Sequence, residues 1–253
     1  MIIKASFPVI SNEPLTSEIR KLTIQSPEIS KFAKPGQFIN VKVSHYFDPL
    51  LRRPFSIASV VDDKIQIIFN ITGKGTKILA DIKPGEKIDI IGPLGKPFNI
   101  DDDFELAIIV AGGLGIAPFP FLTKILKQKN KSVISFIGAR TKSQILLDGL
   151  ENVNIATDDG SDGFKGNVVE MLRLNIHKFN ISKFKIFACG PTPMLKSLLK
   201  LCDEFDLKCE VSVETPMACG TGLCQGCVVK TRNGGYKLAC KDGPVFNTKE
   251  IIL

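Results

Sequence analysis

Leu106-Ala-Ile-Ile-Val-Ala-Gly-Gly-Leu-Gly-Ile-Ala-Pro118 is the stretch on which the fold turns. Its first six residues are apolar without interruption, the pattern of a parallel strand covered on both faces rather than of a half-solvated one. Gly112, Gly113 and Gly115 then break the run, and a helical stretch from about Pro118 to Lys129 follows. A strand that ends in glycines and opens a helix lets a pyrophosphate approach backbone amides and a helix dipole. The spacing is not the G-x-G-x-x-G fingerprint, and plain strand-turn packing explains the glycines equally well. Val133–Ile137 and Lys185–Ala188 read as further strands and Pro193–Phe205 as a helix, so residues 102–210 are expected to form an α/β unit.

Upstream of Asp101-Asp-Asp103 the rhythm is different. Ile39–Val43, Lys64–Phe69 and Lys87–Ile91 alternate apolar and polar positions, and Lys34-Pro-Gly36, Lys83-Pro-Gly85 and Gly92-Pro-Leu-Gly95 supply turns between strands. Residues 1–101 are therefore expected to form an antiparallel β-barrel. Downstream, residues 211–253 are rich in cysteine and turns and too short for a core of their own, so this segment needs metal or docking to stay folded. A chain of 253 residues exceeds what one hydrophobic core usually serves, in keeping with two domains and an appendage.

Composition narrows the function classes. Thirty-three basic and twenty-six acidic residues give a net charge of +7, but the lysines are scattered and no recognised binding module accompanies them, so no nucleic-acid partner is expected. The start Met-Ile-Ile-Lys-Ala-Ser-Phe7 alternates like a strand and lacks the regions of a signal peptide. The longest apolar stretch, Leu106–Leu122, is too short and too broken by glycine and proline to span a bilayer. A cytoplasmic protein is expected, and its seven cysteines, an odd number, point to metal or redox chemistry before disulfides.

Cys219, Cys224 and Cys227 are spaced C-x4-C-x2-C, and Cys240 follows after twelve intervening residues. That is the plant-type [2Fe-2S] pattern, in which four thiolates complete two tetrahedral irons. Gly220, Gly222 and Gly226 let the backbone fold round such a cluster and aim amides at sulfur. A structural zinc site is the alternative, although zinc more often takes two paired C-x2-C knuckles.

Arg52-Arg-Pro-Phe-Ser-Ile57 contains Arg-x-Phe-Ser, a variant of the Arg-x-Tyr-Ser signature of the ferredoxin-reductase family, which it resembles. The resemblance implies that Arg53 pairs with a flavin pyrophosphate through its planar fork, that Phe55 stacks beside the isoalloxazine, and that Ser56 bonds flavin N5, with Pro54 between them. Two solvated arginines at a strand end are the other explanation. Gly73-Lys-Gly-Thr76, with Gly75 and with Thr76 opening the helix Lys77-Ile-Leu-Ala, offers amides and a hydroxyl to phosphate, or is a plain helix cap. Ile68, Phe69 and Asn70 occupy the strand end where the family usually carries an aromatic-Arg pair, and Asn70 stands where the arginine is expected.

Ala188-Cys-Gly-Pro191 resembles the second nicotinamide-side element of the same family, which would place Cys189, Gly190 and Pro191 with Gly112, Gly113 and Gly115, and Glu214 close by. The motif order, ending in Met217-Ala-Cys-Gly220 and Cys240-Lys-Asp-Gly-Pro-Val-Phe246, covers nearly the whole chain. It is similar to the electron-transfer subunits of NAD-dependent dihydroorotate dehydrogenases of pyrimidine biosynthesis.

The resemblance implies three domains: an FAD-binding barrel, a nicotinamide-binding α/β domain and a small [2Fe-2S] domain. It also implies an FMN-containing catalytic partner subunit, a heterotetramer, and electron flow from FMN through the cluster and FAD to NAD+. The rivals are the small flavoprotein subunit of an NAD(P)H-ferredoxin transhydrogenase or sulfide dehydrogenase, which typically has Asp where Cys219 stands, and a non-catalytic iron-sulfur redox sensor. Arg140 and Lys142 either attract a 2′-phosphate or are solvated, so the preference for NAD over NADP rests on the resemblance.

Overall fold

The computed structural model describes residues 1–44 and 46–253. The N-terminal part comprises β1 (Ile3–Pro14), β2 (Ile19–Gln25), α1 (Pro27–Phe32), β3 (Phe38–Lys42), β4 (Arg53–Ser56), β5 (Ser59–Val61), β6 (Lys64–Asn70), α2 (Lys74–Asp81) and β7 (Lys87–Leu94). Its seven strands form one antiparallel sheet in the order β4-β3-β7-β1-β2-β6-β5. Alternating side chains such as Ile39, Val41, Ile65, Ile67, Ile88 and Ile90 turn inward and are buried, as the period of two requires.

The expected barrel is a curled sheet that closes at a corner rather than by a continuous ladder. Between β4 and β5, the Ile57 amide donates to the Gln37 carbonyl at 3.0 Å and the Ala58 amide to the Gln66 carbonyl at 2.8 Å. Consecutive residues thus bond to opposite edges of the sheet, and Phe55 meets Phe69 across the seam with ring centroids 5.7 Å apart.

The second part contains β8 (Leu106–Gly112), α3 (Phe119–Gln128), β9 (Ser132–Ala139), β10 (Val153–Thr157), β11 (Phe164–Lys165), α4 (Val168–Asn175), β12 (Phe184–Cys189), α5 (Thr192–Phe205) and β13 (Cys209–Ser212). The tail adds β14 (Val228–Thr231), β15 (Tyr236–Leu238), β16 (Val245–Asn247) and β17 (Ile251–Ile252). The order of the second sheet is β11-β10-β9-β8-β12-β13-β16, parallel except for β16. The uninterrupted apolar run of β8 is explained by cover on both faces. Ala107 and Ile109 pack with Phe119, Leu122 and Leu126 of α3, and Ile108 and Val110 pack with Leu172 of α4 and Leu195 and Leu198 of α5.

Residue 211 is not a clean boundary in space. β13 spans it, and β16 returns from the tail to pair antiparallel with β13, Val211 opposite Phe246. Only β14, β15 and β17 form a small sheet of their own. A tail this short lacks apolar area for an independent core, so it borrows the edge of the α/β sheet. Among the described residues no helix is long and apolar enough to cross a membrane.

Candidate functional site

A cleft of about 410 Å³ lies where the curled sheet, the α/β sheet and the tail meet. Arg53, Pro54, Phe55 and Ser56 of β4, Ile68, Phe69 and Asn70 of β6, and Thr76 of α2 line one side, and Cys189 and Glu214 line the other. These residues are separated by up to 161 positions in the chain, and only the packing of the two sheets brings them together.

The two arginines of the Arg-Arg-Pro-Phe-Ser stretch have different surroundings. Arg52 is tied down, donating to Asp89 Oδ1 at 2.7 Å and to the carbonyl of Asp89 at 3.1 Å. Arg53 has no acidic partner among the described residues; its Nη1 donates to the Leu51 carbonyl at 2.7 Å and the guanidinium faces the cleft. Gly75 does not line the cleft. It lies behind Arg53, where a Cβ would come within 3.4 Å of Arg53 Nε and 3.1 Å of Val43 Cγ2.

Thr76 does not open a helix. α2 begins two residues earlier, and the Thr76 hydroxyl accepts from the amides of Thr72 and Gly73, both at 3.0 Å, so it secures the turn that presents the helix start.

A second cleft of about 610 Å³ adjoins the first and shares Asn70 and Leu114 with it. Gly112, Gly113 and Pro191 line this cleft, together with Arg140 and Asp158 at the ends of β9 and β10. Lys142 instead pairs with Asp162 at 3.6 Å. Gly115 and Gly190 line neither cleft. A Cβ on Gly115 would stand 2.3 Å from the Cys189 carbonyl oxygen, and one on Gly190 would stand 3.0 Å from the Gly112 amide nitrogen. The two glycine turns pack against each other, and this contact sets the floor of the second cleft.

Cys189 is 2% exposed. Burial pushes its thiol far up and the nearby Glu214 carboxylate adds to that, while the Ser212 hydroxyl and the Gly190 amide oppose it. It is a neutral thiol near pH 7, a weak hydrogen-bonding group rather than a nucleophile. Glu214 sits at the cleft mouth, and desolvation by the surrounding protein raises its carboxyl.

The cysteine loop lies beyond the first cleft. The amides of Thr221 and Cys224 both donate to Cys219 Sγ at 3.4 Å, the Gly222 amide to Cys240 Sγ at 3.1 Å, and the Cys240 amide to Cys227 Sγ at 3.4 Å. Cys227 and Cys240 Sγ are 3.2 Å apart. Although desolvation opposes ionisation of Cys219, the amides of Cys224 and Thr221 outweigh it and hold this thiol down at about 6. Gly220 and Gly222 make the loop possible at φ +72° and +87°, a region that disfavours any side chain. Among the described residues no three metal-binding side chains converge on one ion-sized point. The fit to a [2Fe-2S] cluster therefore rests on the donor chemistry, four thiols of which three already receive backbone amides.

Sequence reading missed several residues of this region. Asn40, fully buried on β3, donates to the Cys219 carbonyl at 3.3 Å and so joins the first sheet to the cysteine loop. Leu114, Thr215 and Met217 line the first cleft. Leu114 and Met217 lie inside quoted motifs but carry no chemical signal of their own, and Asn40 and Thr215 lie outside them, so the fold is what places all four at the site. Asn70 Oδ1 and Thr215 Oγ1 are both buried without a hydrogen-bond partner, and both belong to residues lining the first cleft. Buried polar atoms are normally paired, so unsatisfied ones at a cleft fit a polar ligand such as FAD.

Arg53→Ala is expected to weaken FAD binding by about tenfold or more, the cost of a lost charge-assisted bond. The cluster spectrum should be unchanged, because Arg53 makes no hydrogen bond to the cysteine loop among the described residues. Flavin retention after gel filtration checks this, and full retention would count against Arg53 as the pyrophosphate partner.

Comparison with known proteins agrees with this architecture. Residues 214–252 match the family model described as the iron-sulfur cluster binding domain of dihydroorotate dehydrogenase B, and residues 6–98 match the oxidoreductase FAD-binding domain. The electron transfer subunit of dihydroorotate dehydrogenase B (NAD(+)) from Desulforamulus reducens is 39% identical over 241 residues, 91% of each chain. An Aquifex aeolicus protein described as a homologue of that subunit is 36% identical over 260 residues, the whole of both.

Among solved structures, an NADH-dependent reduced ferredoxin-NADP oxidoreductase superposes with a TM-score of 0.87 at 30% identity, covering 98% of this chain and 90% of that one. A ferredoxin NADP+ reductase from Neisseria gonorrhoeae, at 17% identity and a TM-score of 0.68 over 79% of this chain and 91% of its own, shares the fold. With over a third of its residues identical to such subunits across nearly its whole length, the chain belongs to the family of electron transfer subunits of NAD-dependent dihydroorotate dehydrogenase B.

Proposed function

We propose that this chain carries electrons from an FMN-containing catalytic partner, which oxidises dihydroorotate, to NAD+. The observation that carries the reading is contiguity. The nicotinamide-side cleft shares Asn70 and Leu114 with the flavin-side cleft, and the wall of the latter runs through Glu214 and Met217 straight into Cys219. A flavin bound there links one-electron transfer at an iron-sulfur cluster with two-electron hydride transfer at a nicotinamide, which neither can do for the other.

The chain's own residues prepare that chemistry. Arg53 offers an unpaired cation to a pyrophosphate, and Ser56 offers a hydroxyl at the far end of β4. Cys189 keeps its proton and so adds no charge beside the rings. Glu214, with its raised carboxyl, holds or releases a proton at the cleft mouth. Leu114 and Asn70 form the seam where flavin and nicotinamide would meet. Cys219, Cys224, Cys227 and Cys240 hold the cluster.

Cys224 and Leu223, the latter 85% exposed, put one side of the cysteine loop on the surface, which suits docking of the catalytic subunit in a heterotetramer. Among the described residues there is no barrel of eight strand-helix units to hold dihydroorotate, and oxidation of that substrate is assigned to the partner.

The purified chain should contain one FAD and one [2Fe-2S] cluster, and it should copurify with an FMN-containing dihydroorotate dehydrogenase. Flavin, iron and acid-labile sulfide analysis tests the first part, and zinc in place of iron and sulfide would refute the cluster. Copurification instead with a large transhydrogenase or sulfide dehydrogenase subunit would favour the reading suggested by the ferredoxin-NADP oxidoreductase likeness. Failure of NADH to reduce bound flavin would leave a redox sensor.

A further inference from the structure

Thr215 belongs to none of the motifs that mark the cofactor sites, yet its side chain is in an unusual position. It lines the same cleft as Arg53, Ser56 and Cys189 and also borders a smaller cavity of about 230 Å³ with Thr192, Leu195 and Lys230, and its Oγ1 is buried with no hydrogen-bond partner among the described residues. A hydroxyl withdrawn from water without a partner costs free energy, which a polar group bound in the cleft would offset.

The place of Thr215 along the cleft follows from a chain of contacts. The Val213 amide donates to the Pro244 carbonyl at 2.9 Å. Pro244 lies against Gly95, where a Cβ would meet Pro244 Cδ at 2.5 Å and Phe38 Cε1 at 3.0 Å. Phe38 pairs with Ser56 on β4, whereas Arg53 pairs with Val41, three residues further along β3. Val213 therefore lies toward the Ser56 end of the cleft, roughly 10 Å from the level of Arg53 at the usual rise per strand residue, and Thr215 follows two residues beyond it, before the chain reaches Asn40 at Cys219.

We infer that the Thr215 hydroxyl hydrogen-bonds the ring end of the FAD, away from the pyrophosphate end at Arg53. The inference rests on the flavin reading given above. One short segment then serves both redox groups, because Cys219 follows four residues later, a span of at most roughly 14 Å along an extended chain. Ordering of the flavin would also order the approach to the first cluster ligand.

Thr215→Val removes the hydroxyl and keeps the branched shape, and Thr215→Ser keeps the hydroxyl. In the full chain, copurified with its partner, the valine variant should bind FAD about three- to tenfold more weakly, the effect of one net hydrogen bond. Its flavin absorption band and flavin midpoint potential should shift, while the paramagnetic resonance spectrum of the reduced cluster stays parental. The serine variant should match the parent in all three.

A valine variant with parental FAD affinity, absorption and potential overturns the inference alone. A parental chain that holds no FAD overturns the function reading and the inference together. Should the valine variant fail to fold, Thr215→Ala is compared with Thr215→Ser. Loss of affinity and a shifted band in alanine but not serine supports the bond, and identical behaviour of the two overturns it.

Discussion

Replacing Cys224 by serine is expected to abolish NAD+ reduction by dihydroorotate in the reconstituted complex, while NADH oxidation by an artificial acceptor that draws on FAD continues at the parental rate. The nicotinamide cleft and the flavin cleft share Asn70 and Leu114 and need nothing from the cysteine loop, whereas the path to the partner runs through it. Altering a residue that merely supports a metal ligand already costs about 10- to 100-fold, so the loss of a ligand should exceed a hundredfold.

The usual objection is that removing a cluster ligand unfolds a small metal domain. Here the tail has other anchors. β16 is part of the α/β sheet, and Val229, Ala239, Phe246 and Ile251 are buried in the same apolar cluster as Leu195 and Leu198. The Cys224 amide that donates to Cys219 Sγ also remains in the serine variant. FAD content, complex assembly and the circular dichroism spectrum should therefore be parental. A folded, cluster-free complex that still reduced NAD+ at the parental rate would show that the relay is elsewhere.

Gly115→Ala should have the next largest effect. The added Cβ would lie 2.3 Å from the Cys189 carbonyl oxygen, 2.5 Å from its carbon and 2.7 Å from Gly190 Cα. These are backbone atoms at the end of β12 and cannot swing aside as a flexible side chain can. The two turns must separate. Overpacking of this kind costs about 2–3 kcal/mol, which lowers Tm by roughly 4–12 °C in a chain of this size.

Because the same turns form the floor of the nicotinamide-side cleft, NADH affinity should fall by about tenfold or more. Gly113→Ala is the control. Its Cβ meets no protein atom within 4 Å, so only its φ of +53° opposes the change in the fold, and its effect on Tm should be smaller. Differential scanning calorimetry and NADH titration compare the two, and a Gly115→Ala protein that melts and binds like the parent would disprove the packing argument.

Much of this is legible in the sequence alone. The period of two in Lys64–Phe69, the uninterrupted run Leu106–Ala111 and the spacing of Cys219, Cys224, Cys227 and Cys240 are patterns among residues close in the chain. Period and spacing are what local geometry imposes on a sequence, so such patterns identify the antiparallel strands, the covered parallel strand and the cysteine loop by themselves.

What only the tertiary structure decided concerns residues far apart. Arg52 and Arg53 are neighbours in sequence, but Asp89 captures the first and leaves the second facing the cleft. The sheet closes because Ile57 and Ala58 find partners at Gln37 and Gln66, and the tail folds because β13 offers it a sheet edge. Asn70 and Thr215 acquire meaning only when packing buries Oδ1 and Oγ1 without a partner. Whether a polar atom is satisfied depends on every group brought within about 3 Å of it, and those groups come from distant segments whose encounter no local pattern encodes.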